Sequence, residues 1–287
     1  MSVYFILFLI VYAVSFYYLF QFIIGIYNAK GQRDAFSPNN KNTNAFVINL
    51  PRNEDRLTRF RQQIADSDFG DLEVNKFDAV DGKTTDITKW LNNDTQQELK
   101  EVTRNNYRTS HYQLTYGGVG CFLSHYSLAK QLKENTDANV NQYLIFEDDV
   151  DIPSVFMETL ARVMEDLPDD WDIVLLGTHR INGGPIIKSQ HDTGVIQFVK
   201  ANAFWGMFAY VINKRGASIF VDEVATQPID GQVDAYLSRM NQQNKLNIYA
   251  IKPTQQIAES KGKFTTIQIP LKEVAGRDPY MYGEYHV

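Results

Sequence analysis

The stretch Tyr143-Leu144-Ile145-Phe146-Glu147-Asp148-Asp149-Val150 (YLIFEDDV) decides how this chain is read. Four apolar side chains run without a break into three carboxylates. A short apolar run of this kind reads as a strand buried on both faces. Alternate side chains of a strand share a face, so Glu147 and Asp149 are expected to converge while Asp148 points away, with Asp151 extending the first side. Converging carboxylates repel unless a cation or proton joins them. Hard oxygen ligands at the C-terminal end of a buried strand therefore make Glu147 and Asp149 candidate ligands for Mn²⁺ or Mg²⁺. The plainer alternative is a solvated strand end.

Working outward, the same grammar repeats. Ala45 to Leu50 is a second buried strand, ended by Pro51, with Asn53 as N-cap of a helix carrying Leu57, Phe60 and Ile64. Leu72 to Val80 is a third strand, closed by the turn signal Asp81-Gly82. Residues 83–116 are polar and poorly periodic, an insertion with one weak helix near Trp90 to Val102. Gly117, Gly118 and Gly120 lead into a helix with Phe122, Tyr126 and Ala129 inward. Downstream, Pro153 is expected in the first turn of a helix bearing Phe156, Leu160, Val163 and Leu167. Trp171 to Gly177 and Met207 to Ile212 read as strands, separated by the loop Gly183-Gly184-Pro185. Helices over Arg215 to Val224 and Val233 to Met240 precede a strand at Ile248 to Ile251. Strands alternating with helices predict an α/β fold with a mainly parallel sheet covered on both faces. Such sheets take ligands at the C-terminal ends of their strands.

Composition narrows the function classes. The 287 residues carry a net charge of −6 with no basic tract, which argues against nucleic acid as a partner. The single cysteine, Cys121, excludes an intramolecular disulfide. Val3 to Ile26 is uncharged and almost wholly apolar, long enough to span a hydrocarbon core of about 30 Å. A retained anchor is expected over a cleaved signal peptide, which wants a basic start and a small-residue cleavage site. Lys30, Arg33 and Lys41 follow the span and none precede it, so the positive-inside rule slightly favours a cytosolic domain, against the lumenal placement usual for a Golgi-type enzyme. The expected organisation is a single-pass membrane protein: a transmembrane anchor over 1–27, a polar stem over 28–44 and one catalytic domain over 45–287.

Several segments together resemble glycosyltransferase family 25, which includes bacterial lipooligosaccharide and collagen galactosyltransferases. They are Phe46-Val47-Ile48-Asn49-Leu50-Pro51-Arg52 with Arg56, Phe77 to Gly82, Gly120-Cys121-Phe122-Leu123-Ser124-His125, Phe146 to Val150, Trp171-Asp172 with Leu176-Gly177, and Pro228-Ile229-Asp230. They fall in the family's order over roughly residues 45 to 235. The resemblance implies a GT-A-type, Rossmann-like fold, an inverting mechanism and Mn²⁺ dependence. In that reading Asp149 meets the metal and Glu147 orients it or the donor ribose. The donor is a UDP-sugar carrying galactose or glucose, and the acceptor a hydroxyl on a glycan, lipooligosaccharide or glycoprotein. A divalent ion on the phosphates offsets the charge that grows as the glycosidic bond breaks, and the acceptor hydroxyl needs a base.

Candidate residues follow. Asn49, Arg52 and Arg56, at the first strand–helix junction, suit donor phosphates or the nucleotide. Asp81, Ser124, His125, Glu147 and Asp148 complete the expected donor-binding set. Asp230 and Asp234 are the candidate bases, although Asp230 beside Gly231 also suits a turn or cap. Ser124 and His125 lack a Gly-x-Ser-x-Gly setting and also read as structural residues. Cys121 and His125 share a helical face, but two ligands without partners do not make a zinc site. Two rival classes are a catalytically inactive binding or adhesion protein on the same fold, and a metal-dependent nucleotidyltransferase.

Overall fold

A computed structural model describes residues 42–109, 113–187, 196–260 and 269. In chain order the elements are β1 (Thr43–Asn49), α1 (Glu54–Ala65), β2 (Val74–Asp78), α2 (Asn93–Asn105), α3 (Tyr116–Glu134), β3 (Gln142–Glu147), β4 (Val150–Asp151), α4 (Phe156–Asp166), β5 (Ile173–Gly177), β6 (Arg180–Asn182), β7 (Ile186–Ile187), β8 (Phe198–Lys200), β9 (Ala203–Trp205), β10 (Ala209–Asn213), α5 (Lys214–Thr226), α6 (Val233–Gln242), β11 (Ile248–Ile251) and β12 (Glu259–Ser260). Eight strands form one sheet in the order β2-β1-β3-β10-β5-β11-β8-β7.

Six of those strands point one way. β10 is antiparallel to both neighbours, β3 and β5, and β8 is antiparallel to β11 and β7. The sheet is therefore mainly parallel in strand direction, as expected, with β10 and β8 running against the rest. The reason is topological: β10 follows β9 by a short turn and enters the sheet from the opposite end, between two strands already running the other way.

Period-two alternation sorts the sheet's side chains to two cores. Phe46, Ile48, Tyr143, Ile145, Tyr210 and Ile212 face α3, α5 and α6. Ala45, Val47, Leu144, Phe146, Ala209 and Val211 face α1 and α4. β3 lies near the centre, and Tyr143 to Phe146 are fully buried. Burying a side chain such as Phe146 contributes about 1.5–3 kcal/mol, so both faces hold this strand in place.

Two local features steer the site. Thr115 caps α3, its hydroxyl accepting from Gly118 N at 2.9 Å. The loop after β2 then lies directly on the first turns of α3. A Cβ on Gly82 would sit 1.9 Å from Tyr116 O, and one on Gly120 would sit 2.4 Å from Val80 O. Only glycine permits that backbone-on-backbone approach. On the other face, α4 starts at Phe156 rather than at the expected Pro153. The Asp68 carboxylate accepts from Met157 N and Glu158 N, both at 2.8 Å, so a distant side chain sets the helix start.

The expectation of a single-pass membrane protein is corrected. Among the described residues no helix is long and apolar enough to cross a membrane. The Val3 to Ile26 segment on which it rested lies outside the described residues, as do residues 28–41 of the expected stem.

Candidate active site

The three carboxylates after Phe146 go three ways. Glu147 ends β3, its N–H donating to Phe208 O at 2.9 Å. Strand parity turns its side chain toward α3, where Oε1 lies 3.3 Å from His125 Nε2. His125 is buried, and its Nδ1 is 2.9 Å from the Tyr210 hydroxyl on β10. Asp148 turns to the opposite face. It accepts from Asn49 Nδ2 at 2.7 Å and from Arg56 at 3.0 Å, tying the end of β3 to the β1–α1 junction. Asp149 lies in the turn beyond the strand, 3.8 Å from Arg56. Its Oδ1 is buried with no hydrogen-bond partner among the described residues.

The electrostatics identify what surrounds this point. Burial, and then the charge of Glu147, push the Asp149 carboxyl up to about 7 despite Arg56. Glu147 is thus near enough to Asp149 for its charge to act on that carboxyl. Burial followed by Glu147, Asp234 and Asp149 raises the Cys121 thiol well above its usual range. Burial raises the Tyr210 hydroxyl, with Glu147 and Cys121 adding to it. Asp234, in the first turn of α6, is also raised by burial and by Glu147, although Gly206 N and Ala235 N donate to it at 2.9 and 2.7 Å. Cys121, His125 and Glu147 thus meet at the C-terminal end of β3, with Tyr210 on His125, while Asp149 and Asp234 act on them through their charge.

Gly206 makes the link to Asp234 possible. Its φ is +76°, and a Cβ there would sit 2.8 Å from the His179 ring. A left-handed glycine is needed to aim its N–H at Asp234 while the chain passes into β10.

Other expected residues sit apart. Arg52 pairs with Asp81 at the exposed edge of the junction. Burial works to raise the Asp81 carboxyl, but the Lys83 N–H and Arg52 together hold it below its usual range. Ser124 is wholly buried, donating to Gly120 O and accepting from Val80 N, which is a helix-to-loop tie. Asp230 pairs with Arg239 at 2.7 Å, with both side chains over 40% exposed (43% and 44%). Asp151 pairs with Arg59 rather than joining the cluster. Asn49 and Arg56 each support Asp148 and each keep a buried atom, Asn49 Oδ1 and one Arg56 terminal nitrogen, without a partner among the described residues.

Sequence reasoning missed Tyr210, Gly206 and the part of Cys121. Tyr210 lies on the α3 side of an ordinary apolar strand, and no local signal separates it from a core residue. Cys121 and His125 showed their helical spacing, but the third group, Glu147, arrives from another element.

The fold and site define an α/β protein with a carboxylate-lined centre at the end of a buried strand. The model of "Glycosyltransferase family 25 (LPS biosynthesis protein)" matches residues 42–237, and the chain belongs to this family. It is 31% identical over 182 residues to procollagen galactosyltransferase 2 of Mus musculus, covering 61% of this chain and 27% of that protein. It is equally 31% identical over 202 residues to the inactive glycosyltransferase 25 family member 3 of Mus musculus, covering 68% of this chain and 31% of that protein. A putative glycosyltransferase of Acanthamoeba polyphaga mimivirus is 26% identical over 189 residues, covering 63% of this chain and 53% of that protein. The chain thus spans about a quarter to a half of the length of these relatives.

Proposed function

We propose that this chain is a GT-A-type, inverting hexosyltransferase. It moves galactose or glucose from a UDP-sugar to an acceptor hydroxyl on a glycan, lipooligosaccharide or glycoprotein. The observation that carries the reading is the unpartnered, buried Asp149 Oδ1, on a carboxyl that the charge of Glu147 reaches. An unpartnered carboxylate oxygen within reach of a second carboxylate's charge fits a hard divalent cation, Mn²⁺ or Mg²⁺, with Glu147 and Asp149 as its protein ligands. When bound, such an ion neutralises charge on the departing diphosphate.

The chain's own residues supply the rest. Asn49 and Arg56 hold Asp148, which fixes the turn that presents Asp149. Their unused buried atoms suit the polar groups of a nucleotide diphosphate. Asp234 is the better candidate base. It is anchored by two N–H donors and raised by burial, so it is a stronger proton acceptor than a free carboxylate. As the acceptor oxygen bonds the anomeric carbon, its proton passes to Asp234 and the UDP oxygen takes the electrons of the broken bond.

Likeness to both an active and an inactive relative does not separate catalysis from mere binding. Turnover does. The full chain with UDP-galactose or UDP-glucose is expected to release UDP only with Mn²⁺ or Mg²⁺ present. Asp234→Asn should lower that rate about 10²–10⁴-fold with UDP affinity unchanged. UDP binding without any turnover would make the chain a binding protein on this scaffold. Release of pyrophosphate from a nucleoside triphosphate would make it a nucleotidyltransferase.

A further inference from the structure

The same centre has a second chemical character. Cys121 and His125 stand one helical turn apart on α3 and face the end of β3, where Glu147 supplies a third donor. Cys121 Sγ, a His125 ring nitrogen and a Glu147 carboxylate oxygen all lie within 4.8 Å of one another. His125 Nε2 and Glu147 Oε1 are already 3.3 Å apart. Ligand atoms on a tetrahedral zinc, with bonds of about 2.0–2.3 Å, stand about 3.4–3.6 Å from each other. Binding has to draw the three atoms together by about 1 Å, the scale of a side-chain torsion change.

We propose that Cys121, His125 and Glu147 form a binding site for a thiophilic divalent cation, Zn²⁺ above the hard cations, sharing only Glu147 with the carboxylate pair. Thiolate and imidazole select zinc, whereas Mg²⁺ and Mn²⁺ prefer oxygen. Tyr210 is the positioning residue. Its hydroxyl, 2.9 Å from His125 Nδ1, can accept a hydrogen bond from Nδ1–H and so hold the tautomer whose Nε2 lone pair is free for the ion. The thiol proton leaves to solvent on binding, and thiolate, carboxylate and Zn²⁺ together are neutral. Three protein ligands leave a fourth position for water.

Binding does not depend on the transferase reading. One consequence does: an ion held through Glu147 competes with the hard cation, so zinc inhibits transfer.

Co²⁺ titration of the full chain, with a phosphine reductant in place of thiols, tests the site without turnover. The protein has one cysteine, so a sulfur-to-cobalt charge-transfer band at one equivalent can arise only from Cys121. That band and tetrahedral visible absorption are expected, with Zn²⁺ displacing both. Cys121→Ser should remove the band and weaken Zn²⁺ binding by more than ~100-fold, while Tyr210→Phe, an outer-shell change, should weaken it ~10–100-fold. Melting curves of each variant separate loss of the site from loss of the fold, and Tyr210→Phe carries the test if Cys121→Ser melts early. An oxygen-type octahedral cobalt spectrum without the sulfur band overturns the proposal, as does unchanged zinc affinity in both variants. Where transfer is measurable, Cys121→Ser should also be less zinc-sensitive relative to its own zinc-free rate.

Discussion

Two carboxylates at opposite ends of the sheet, Asp172 buried and Asp149 half-buried, are treated in opposite ways. Asp172, just before β5, is almost wholly buried, yet both its oxygens are used. Arg215 donates to Oδ1 at 2.7 Å and Asn247 N to Oδ2 at 2.8 Å. The backbone closes around it, since a Cβ on Gly216 would sit 2.7 Å from Asp172 O. Asp149, just after β3, has a buried oxygen with no partner among the described residues, another carboxylate's charge acting on it, and one guanidinium at 3.8 Å. The first is a joint, its charge consumed by the protein. The second is an unmet electrostatic demand, and unmet demand in a buried place points to a ligand.

The comparison can be broken most directly at Asp149. Asp149→Asn should lower UDP-sugar turnover about 10²–10³-fold, the scale of losing one preorganised electrostatic partner. The variant should melt no lower than the parent without metal, because a repelling charge has gone. Turnover near the parent's rate would show that Asp149 is no more functional than Asp172. The converse substitution, Asp172→Ala, should destabilise by about 1–3 kcal/mol because it strands the half-buried Asn247 N–H and frees Arg215. Denaturant unfolding measures this, and turnover per folded molecule should hold.

A pH series sharpens the contrast. The Asp149 carboxyl titrates at about 7 in the folded chain, against an ordinary value of 3.8. The folded state therefore keeps a proton that the unfolded chain loses between those values. This group's contribution to metal-free stability is present below the lower value and is lost as pH rises through the upper one. Melting temperatures of metal-free protein at about pH 5 and about pH 8 should show a larger fall for the parent than for Asp149→Asn. The smallest effect belongs to Asp230→Asn. Its exposed pair with Arg239 predicts a stability change within ~0.5 kcal/mol and turnover close to the parent's. A large loss there would move the base from Asp234 to Asp230.

Much of the architecture was legible in the residues. The buried runs at Ala45 to Leu50, Tyr143 to Phe146, Trp171 to Gly177 and Ile248 to Ile251 announced strands because both their faces are covered. Helical stripes such as Phe156, Leu160 and Val163 announced the layers above them. The direction of β10 was not legible, because an apolar run reads the same whichever way it enters a sheet. Nor was the split of the acidic triplet complete. Period two sent Asp148 away from Glu147, but it could not show that Asn49 and Arg56 receive it or that Asp149 falls in a turn beyond the strand.

The sequence by itself determined the alternation of elements, the family and the presence of carboxylates at the end of a central strand. These depend on local periodicity and residue type, which a linear chain records. The tertiary structure alone decided which charges are neutralised and which are left wanting. That depends on partners far apart in the chain: Asp172 with Asn247, Asp148 with Asn49, Glu147 with His125, Asp234 with Gly206. Side-chain chemistry names the groups, but the burial and distance that set their energies arise only when the strands and helices close on one another.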